Sequence, residues 1–73
     1  MNKEQLNRNL KSARAKYGLS VRETAKKVGL STTGYHNKEL GKTEFKHSEI
    51  NILLKNVFIE EKYEDIFLVL CSI

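Results

Sequence analysis

The sequence predicts an all-α fold of five short helices, and two observations support this prediction. Apolar residues recur at helical spacing, as in Leu6, Leu10, Ala13 and Tyr17, so that they share one face of a helix. Side chains that cap helices stand before several of these stretches, and glycines follow two of them. This is the order in which helices begin and end, and it predicts helices joined by tight turns.

Length and composition indicate one small domain. The chain has 73 residues, and at this size folding buries only about 60% of the surface of the unfolded chain. A dimer interface would therefore add useful burial. The first residues are polar, the single Cys71 has no partner for an internal disulfide, and no apolar run approaches the roughly 20 residues that span a bilayer. We expect one domain over residues 1–73, in the cytosol and without membrane contact.

The first helix is predicted to begin after Asn2, whose side chain can cap it, and to run to about Lys16. Gly18 follows as the residue that ends the helix in a left-handed conformation. Basic residues lie on or near the face opposite to the apolar stripe. The pattern is typical of an amphipathic helix with one buried side.

The second helix begins with a capping signal. Ser20 and Glu23 are spaced as in a capping box, in which each side chain accepts a hydrogen bond from the backbone N–H of the other residue. The small Ala25 on its apolar face allows another helix to approach closely. That face is formed by Val21, Thr24, Ala25 and Val28.

A glycine turn and a third helix follow. Gly29 stands just past helix 2, where a positive φ costs little, and Ser31 can cap a helix over roughly residues 32–39. Helix, turn and capped helix make the helix-turn-helix pattern. Two positions leave alternatives open. Gly34 either permits close approach of the helix backbone to a nucleic-acid duplex or a partner chain, or has no role. The Tyr35 ring either packs in the core or stacks on a nucleic-acid base.

The remainder of the chain contains two more predicted helices. Residues 40–46 form a loop in which Phe45 is expected to insert into the core. A fourth helix is predicted over roughly residues 47–57 from its apolar stripe, and a short fifth helix over residues 63–68.

The chain stays apolar almost without a break after the fifth helix. A domain this small has little room to bury such a segment, and an exposed apolar patch usually marks an interaction surface. We expect the apolar tail, residues 69–73, to contribute to a homodimer or to a contact with a partner. The alternative is a tail folded on its own core. The candidate interface residues are Leu68, Val69, Leu70 and Ile73.

Charge is distributed unevenly along the chain. Residues 1–46 contain eleven Lys and Arg and four Glu, a balance of +7, and residues 47–73 have a balance of −3. A basic segment that contains a helix-turn-helix pattern suits a polyanionic partner such as DNA. The alternative is an ordinary solvated surface, since lysine-rich small proteins are common.

The stretch GLSVRETAKKVGLSTTGYHNKELG resembles the helix-turn-helix core of the Cro/CI-type, or XRE-like, phage regulators. Two further stretches, YHNKELGKTEF and KYEDIF, resemble a subset of that family found in phages of Gram-positive bacteria. The resemblance covers about residues 6–68. It departs from the family at Val21 and Thr32, the first positions of the two motif helices, where members often have Gln.

The resemblance implies a lambda-repressor-like DNA-binding domain with its helix-turn-helix at helices 2 and 3. It implies a Cro-like repressor that binds double-stranded operator DNA as a homodimer in the cytoplasm of a bacterial host. It also pairs Arg14 with Glu39, although a contact between Arg14 and a phosphate is an alternative. Ala25, Gly29 and Phe45 are expected to be structural.

The predicted DNA-binding residues fall into two classes. Side chains on the exposed face of helix 3 can reach base edges, because Asn pairs with adenine and the Thr methyl packs on thymine. Cations can contact phosphate, which orients the protein but reads no sequence. The base-reading candidates are Thr32, Thr33, His36 and Asn37, with a solvent-facing role equally open for His36, and the remaining DNA-binding candidates are Arg22, Lys38 and Lys42.

A second function of another class stays open. Some small regulators encoded opposite phage repressors bind the repressor itself, as modulators of repression or antirepressors, and so form a heteromer. The apolar tail, Gly34 in helix 3 and the missing Gln residues are compatible with this alternative. Enzyme activity, cofactors and metals are not expected. His36, His47 and Cys71 match no zinc spacing, and no catalytic motif is present.

Overall fold

The computed structural model describes residues 3–67, which form helices and turns with no β-strand among them. The predicted all-α class is therefore confirmed. The tail candidates Leu68, Val69, Leu70 and Ile73, and the expected cap Asn2, lie outside the described residues. The helices are α1 Lys3–Tyr17, α2 Val21–Val28, α3 Thr32–Glu39, α4 His47–Ile52 and α5 Tyr63–Ile66, and a π-helical turn, Leu53–Val57, follows α4 directly.

The predicted capping signals are present at α2. The backbone N–H of Glu23 donates to Ser20 Oγ at 3.1 Å, and the N–H of Ser20 donates to Glu23 Oε1 at 2.9 Å. The hydrogen bond from the Ser20 backbone N–H to the Glu23 carboxylate lowers the pKa of Glu23, and the Ser20 side chain adds to this effect. At the other end of the helix, Gly29 has a φ of +88° and its N–H donates to Ala25 O at 3.0 Å. Because the signals are local in sequence, they fix both ends of α2.

A single core lies between the helices. α2 packs against α3 and against the π-helical turn, while α1 packs against α3 and α5. The predicted stripe of α1 supplies three of the buried residues. The buried apolar residues are Leu6, Leu10, Ala13, Ala25, Val28, Tyr35, Ile50, Leu53, Val57, Phe58, Ile66 and Phe67.

Phe45 anchors the loop between α3 and α4 to this core, as predicted. Its half-buried ring lies 6.0 Å from the Tyr35 ring and 5.6 Å from the Phe67 ring, centroid to centroid, and both contacts are edge-to-face. Such pairs add about 0.5–1.5 kcal/mol beyond the burial of their area. Through these aromatic contacts the loop is joined to α3 and to Phe67, the residue that follows α5.

The fourth helical segment covers the predicted residues 47–57, but its last turn is not α-helical. The N–H of Phe58 donates to Leu53 O at 2.6 Å, five residues back, so the segment is π-helical there rather than α-helical. The wider turn brings Phe58 into the core with Leu53, and both are fully buried. The fifth helix is shorter than predicted and ends at Ile66.

Candidate nucleic-acid interface

α2 and α3 are held close together by a three-residue turn. Residues 29–31 connect them, and Ala25, which is 1% exposed, lies on the buried side of α2. The N–H of Leu30 donates to Ala25 O at 2.9 Å, and Ser31 Oγ accepts from the N–H of Gly34 at 3.0 Å. The glycine, the small alanine and the serine cap therefore define the connection between the two helices, as the sequence predicted.

The outward face of α3 has polar side chains without formal charge. Thr32, Thr33 and His36 are exposed, Asn37 is half-buried, and no hydrogen bond from any of these four side chains is recorded within residues 3–67. The opposite face of the helix is in the core. The four predicted base-reading residues therefore lie within one short helix, on or beside its solvent-facing side.

Free cations flank α3 in sequence. Arg22 near the start of α2 and Lys42 in the loop after α3 are exposed, and neither has an ion pair within the described residues. Lys26 and Lys27 in the last turn of α2 are also exposed, and neither forms an ion pair within the described residues. Sequence reasoning overlooked these two lysines, although their places on the polar side of the α2 stripe could have identified them.

Lys38 differs from the other predicted cations. Its ammonium group lies 2.7 Å from Glu49 Oε1 on α4 and donates to Glu44 O at 3.1 Å. The two side chains are only 13% and 10% exposed. Burial by itself would raise the pKa of Glu49, but the hydrogen bonds from Lys38 and from the Lys46 backbone N–H outweigh it, and the pKa lies below its usual range. The sequence pattern did not predict this contact between α3 and α4.

Arg14 and Glu39 form the ion pair that the family resemblance implied. Arg14 Nε and Nη2 donate to Glu39 Oε2 and Oε1 at 2.9 and 2.8 Å. The Glu39 side chain has no exposed surface and that of Arg14 is 15% exposed. The Arg14 guanidinium also donates to Leu19 O at 3.4 Å, and Asn7 donates to Glu39 O at 3.0 Å. The guanidinium therefore makes its contacts within the protein, which favours the structural role of Arg14 over a phosphate contact.

Tyr35 and Gly34 have roles inside the domain. The Tyr35 ring is fully buried, which favours the packed alternative over stacking on a base. Its hydroxyl lies beside the Glu39 carboxylate, and burial together with that carboxylate raises the pKa of Tyr35. A Cβ added at Gly34 would lie 2.9 Å from Ser31 Oγ. The close approach at Gly34 is therefore to the cap of its own helix.

Residues 3–67 also bear on metal, membrane and ligand sites. No group of three or more His, Cys, Asp or Glu side chains there could hold a metal ion. None of the helices described has the length and apolar character needed to cross a membrane. A cavity of about 290 Å³ opens between α1, the α3–α4 loop, α4 and α5. Leu6, Phe45, Ile50 and Tyr63 form its apolar lining.

Comparison with known proteins gives no relative. No protein-family model matches the chain, no curated protein matches it, and no solved structure matches it.

Proposed function

We propose that the protein is a sequence-specific DNA-binding regulator of transcription in which α2 and α3 act as a helix-turn-helix. The observation that supports this best is the surface of α3. Uncharged hydrogen-bonding side chains face solvent on a helix that has free cations before and after it in the chain. A DNA-reading helix needs this combination, because base edges are recognised by hydrogen bonds and methyl contacts while phosphates attract cations.

In this proposal α3 enters the major groove of an operator. Thr32 and Thr33, near the N-terminus of α3, and Asn37 contact base edges, and His36 contacts a base or a phosphate. Arg22, Lys26, Lys27 and Lys42 neutralise phosphates on either side. The protein binds as a homodimer through the apolar tail, as the sequence analysis expected, and represses transcription by occupying a promoter.

Salt dependence tests this proposal without knowledge of the operator. A labelled duplex of random sequence is titrated with the protein at several salt concentrations. Lys42→Met should weaken binding and reduce the slope of log K against log salt by about one phosphate equivalent, about 0.9. Lys55→Met is the matched control, because Lys55 is also exposed but lies on the π-helical turn. Equal losses in both variants would indicate only general charge attraction.

A second function is favoured by one observation. α3 has no unpaired Lys or Arg among its eight residues, since Lys38 is bound to Glu49. A helix with few charges can also bind a protein surface, where charged residues are depleted at the centre of the contact. We therefore keep the modulator alternative, in which the protein binds a phage CI-type repressor and changes the DNA affinity of that repressor.

Gel-shift experiments with and without such a repressor separate the two functions. A DNA-binding regulator shifts duplex DNA by itself. A modulator shifts no duplex at low salt and changes the shift that the repressor produces. If the protein neither shifts duplex DNA nor changes the shift produced by the repressor, both proposed functions are contradicted.

A further inference from the structure

The last turn of α3 is tied to two different helices by adjacent residues. Glu39 pairs with Arg14 on α1, and Lys38 pairs with Glu49 on α4. All four side chains are at most 15% exposed. Mostly buried ion pairs have defined geometry, and removal of one partner leaves a charge that solvent cannot compensate. The two pairs therefore fix both the position and the rotation of α3 between α1 and α4.

The direction of Lys38 around α3 differs from that of the proposed DNA-contacting side chains. At 3.6 residues per turn, Lys38 lies about 140° from Thr33 and about 160° from His36 around the helix axis. Thr33 and His36 are exposed, whereas the Lys38 side chain is 13% exposed and contacts α4 and the preceding loop. A side chain at that angle points along the protein rather than toward a duplex that contacts Thr33.

A phosphate contact by Lys38 would also break the ion pair of Lys38 with Glu49. The Glu49 carboxylate accepts hydrogen bonds from Lys38 Nζ at 2.7 Å and from the Lys46 backbone N–H at 2.8 Å. If Lys38 turned toward DNA, this mostly buried carboxylate would lose its only salt-bridge partner within residues 3–67. Exposed cations without an ion pair among residues 3–67 are already present at Arg22, Lys26 and Lys42.

We propose that Lys38 is a positioning residue, which orients α3 through Glu49 and does not contact phosphate. The electrostatic attraction for DNA then comes from the flanking cations Arg22, Lys26, Lys27 and Lys42. This inference rests on the proposed DNA-binding function and revises the sequence-based prediction for Lys38. It also predicts that Glu49, an α4 residue outside the proposed helix-turn-helix, controls DNA affinity.

A charge swap tests the inference. Lys38→Glu and Glu49→Lys each place like charges together, and each should lower DNA affinity at least tenfold. The double variant restores an opposite-charge pair and should return to within about threefold of the wild type. If Lys38 contacted phosphate, the swap would stay as weak as Lys38→Glu, because a carboxylate would then face the backbone. Circular dichroism at the titration temperature shows which variants are folded.

Salt slopes give a second readout for a variant that keeps the aliphatic stem. Lys38→Met should leave the slope of log K against log salt unchanged, whereas Lys42→Met should reduce it by about 0.9. An equal reduction in both variants would overturn the positioning role.

Failure of the function and failure of the inference are distinguishable. Absence of duplex binding by the wild type at low salt would contradict the proposed function. The same variants then test the ion pair through urea unfolding, in a double-mutant cycle. Unfolding midpoints that recover in the swap support the positioning role, and strictly additive losses overturn it.

Discussion

Arg14 on α1 and Glu39 at the end of α3 form a two-hydrogen-bond ion pair across 25 residues of sequence, and the Glu39 carboxylate is wholly buried. Asn7 supports the same end of α3 by donating to Glu39 O. Because α3 has the proposed DNA-contacting surface, this pair connects the stability of the fold to the orientation of that surface.

Arg14→Ala should destabilise the protein by about 3 kcal/mol or more, because it leaves the buried Glu39 carboxylate uncompensated. Glu39→Ala should cost a similar amount. The double variant should cost clearly less than the sum of the two, since the remaining charge is also removed. Thermal or urea unfolding of the three variants measures the coupling. Additive losses would show that the two side chains act independently.

Ser31 and Gly34 should behave as a coupled pair. Alanine is favoured over glycine inside a helix by about 1 kcal/mol, but a Cβ at position 34 would lie 2.9 Å from Ser31 Oγ, which accepts the capping hydrogen bond. Gly34→Ala should therefore give little or no stabilisation in the wild type. In a Ser31→Gly background the obstacle is gone, and the same change should stabilise by up to about 1 kcal/mol. Equal effects in both backgrounds, measured by urea unfolding, would contradict this coupling.

The features predicted from local sequence are those whose causes lie within a few residues. Ser20 and Glu23 are three positions apart, and Gly29 ends α2 through its own backbone conformation. The start of α3 was predictable for the same reason, because Ser31 caps it locally. Periodicity also identified the buried face of α1.

Features that depend on tertiary contact could not be predicted in this way. The apolar stripe of residues 47–57 is compatible with an α-helix throughout and also with a π-helical last turn. The structure has the π-helical turn, which accompanies the burial of Phe58. The Lys38–Glu49 pair spans a loop, so no helical spacing connects its members. From the sequence, Lys38 was therefore predicted to be a solvent-exposed cation available to phosphate. The Arg14–Glu39 pair was expected only from the family resemblance.

The lowered pKa of Glu49 predicts how the stability of the fold depends on pH. Because the folded protein holds this carboxylate ionised more strongly than the unfolded chain does, the unfolded state binds more protons as the pH falls below about 4.3. The stabilisation is therefore fully present above that pH and is lost as the pH falls through the folded pKa. At neutral pH, Glu49→Gln should cost about 1.5–3 kcal/mol, the value of a hydrogen bond to a charged group.

Urea unfolding of the wild type and of Glu49→Gln between pH 3 and pH 7 measures this contribution. The difference in unfolding free energy between the two proteins should shrink toward the acid end. Glu23, whose pKa is also lowered, is present in both proteins and cancels in the difference. A difference that stays constant over the whole range would contradict the account of Glu49.

The apolar tail gives a prediction from sequence alone. Residues 69–73 include Val69, Leu70 and Ile73 and carry no charged side chain. At about 25 cal/mol per Å² of apolar surface buried, part of this segment can contribute several kcal/mol to an interface. Deletion of residues 69–73 should shift a dimer toward monomer and weaken DNA binding, because two linked half-sites bind more tightly than one. Sedimentation of both forms measures this, and unchanged association would refute the proposed interface.

The most direct test of the DNA-binding proposal is selection from a pool of duplexes with a randomised central region. The wild-type protein should enrich one short motif, with two related half-sites if it binds as a dimer. Thr33→Ala and Asn37→Ala should each alter the preferred base at one or two positions, at about 1–3 kcal/mol per base pair. Lys42→Met should lower the yield but enrich the same motif. No enrichment by the wild type, with no retention of any duplex at low salt, would contradict the proposal that α3 reads DNA.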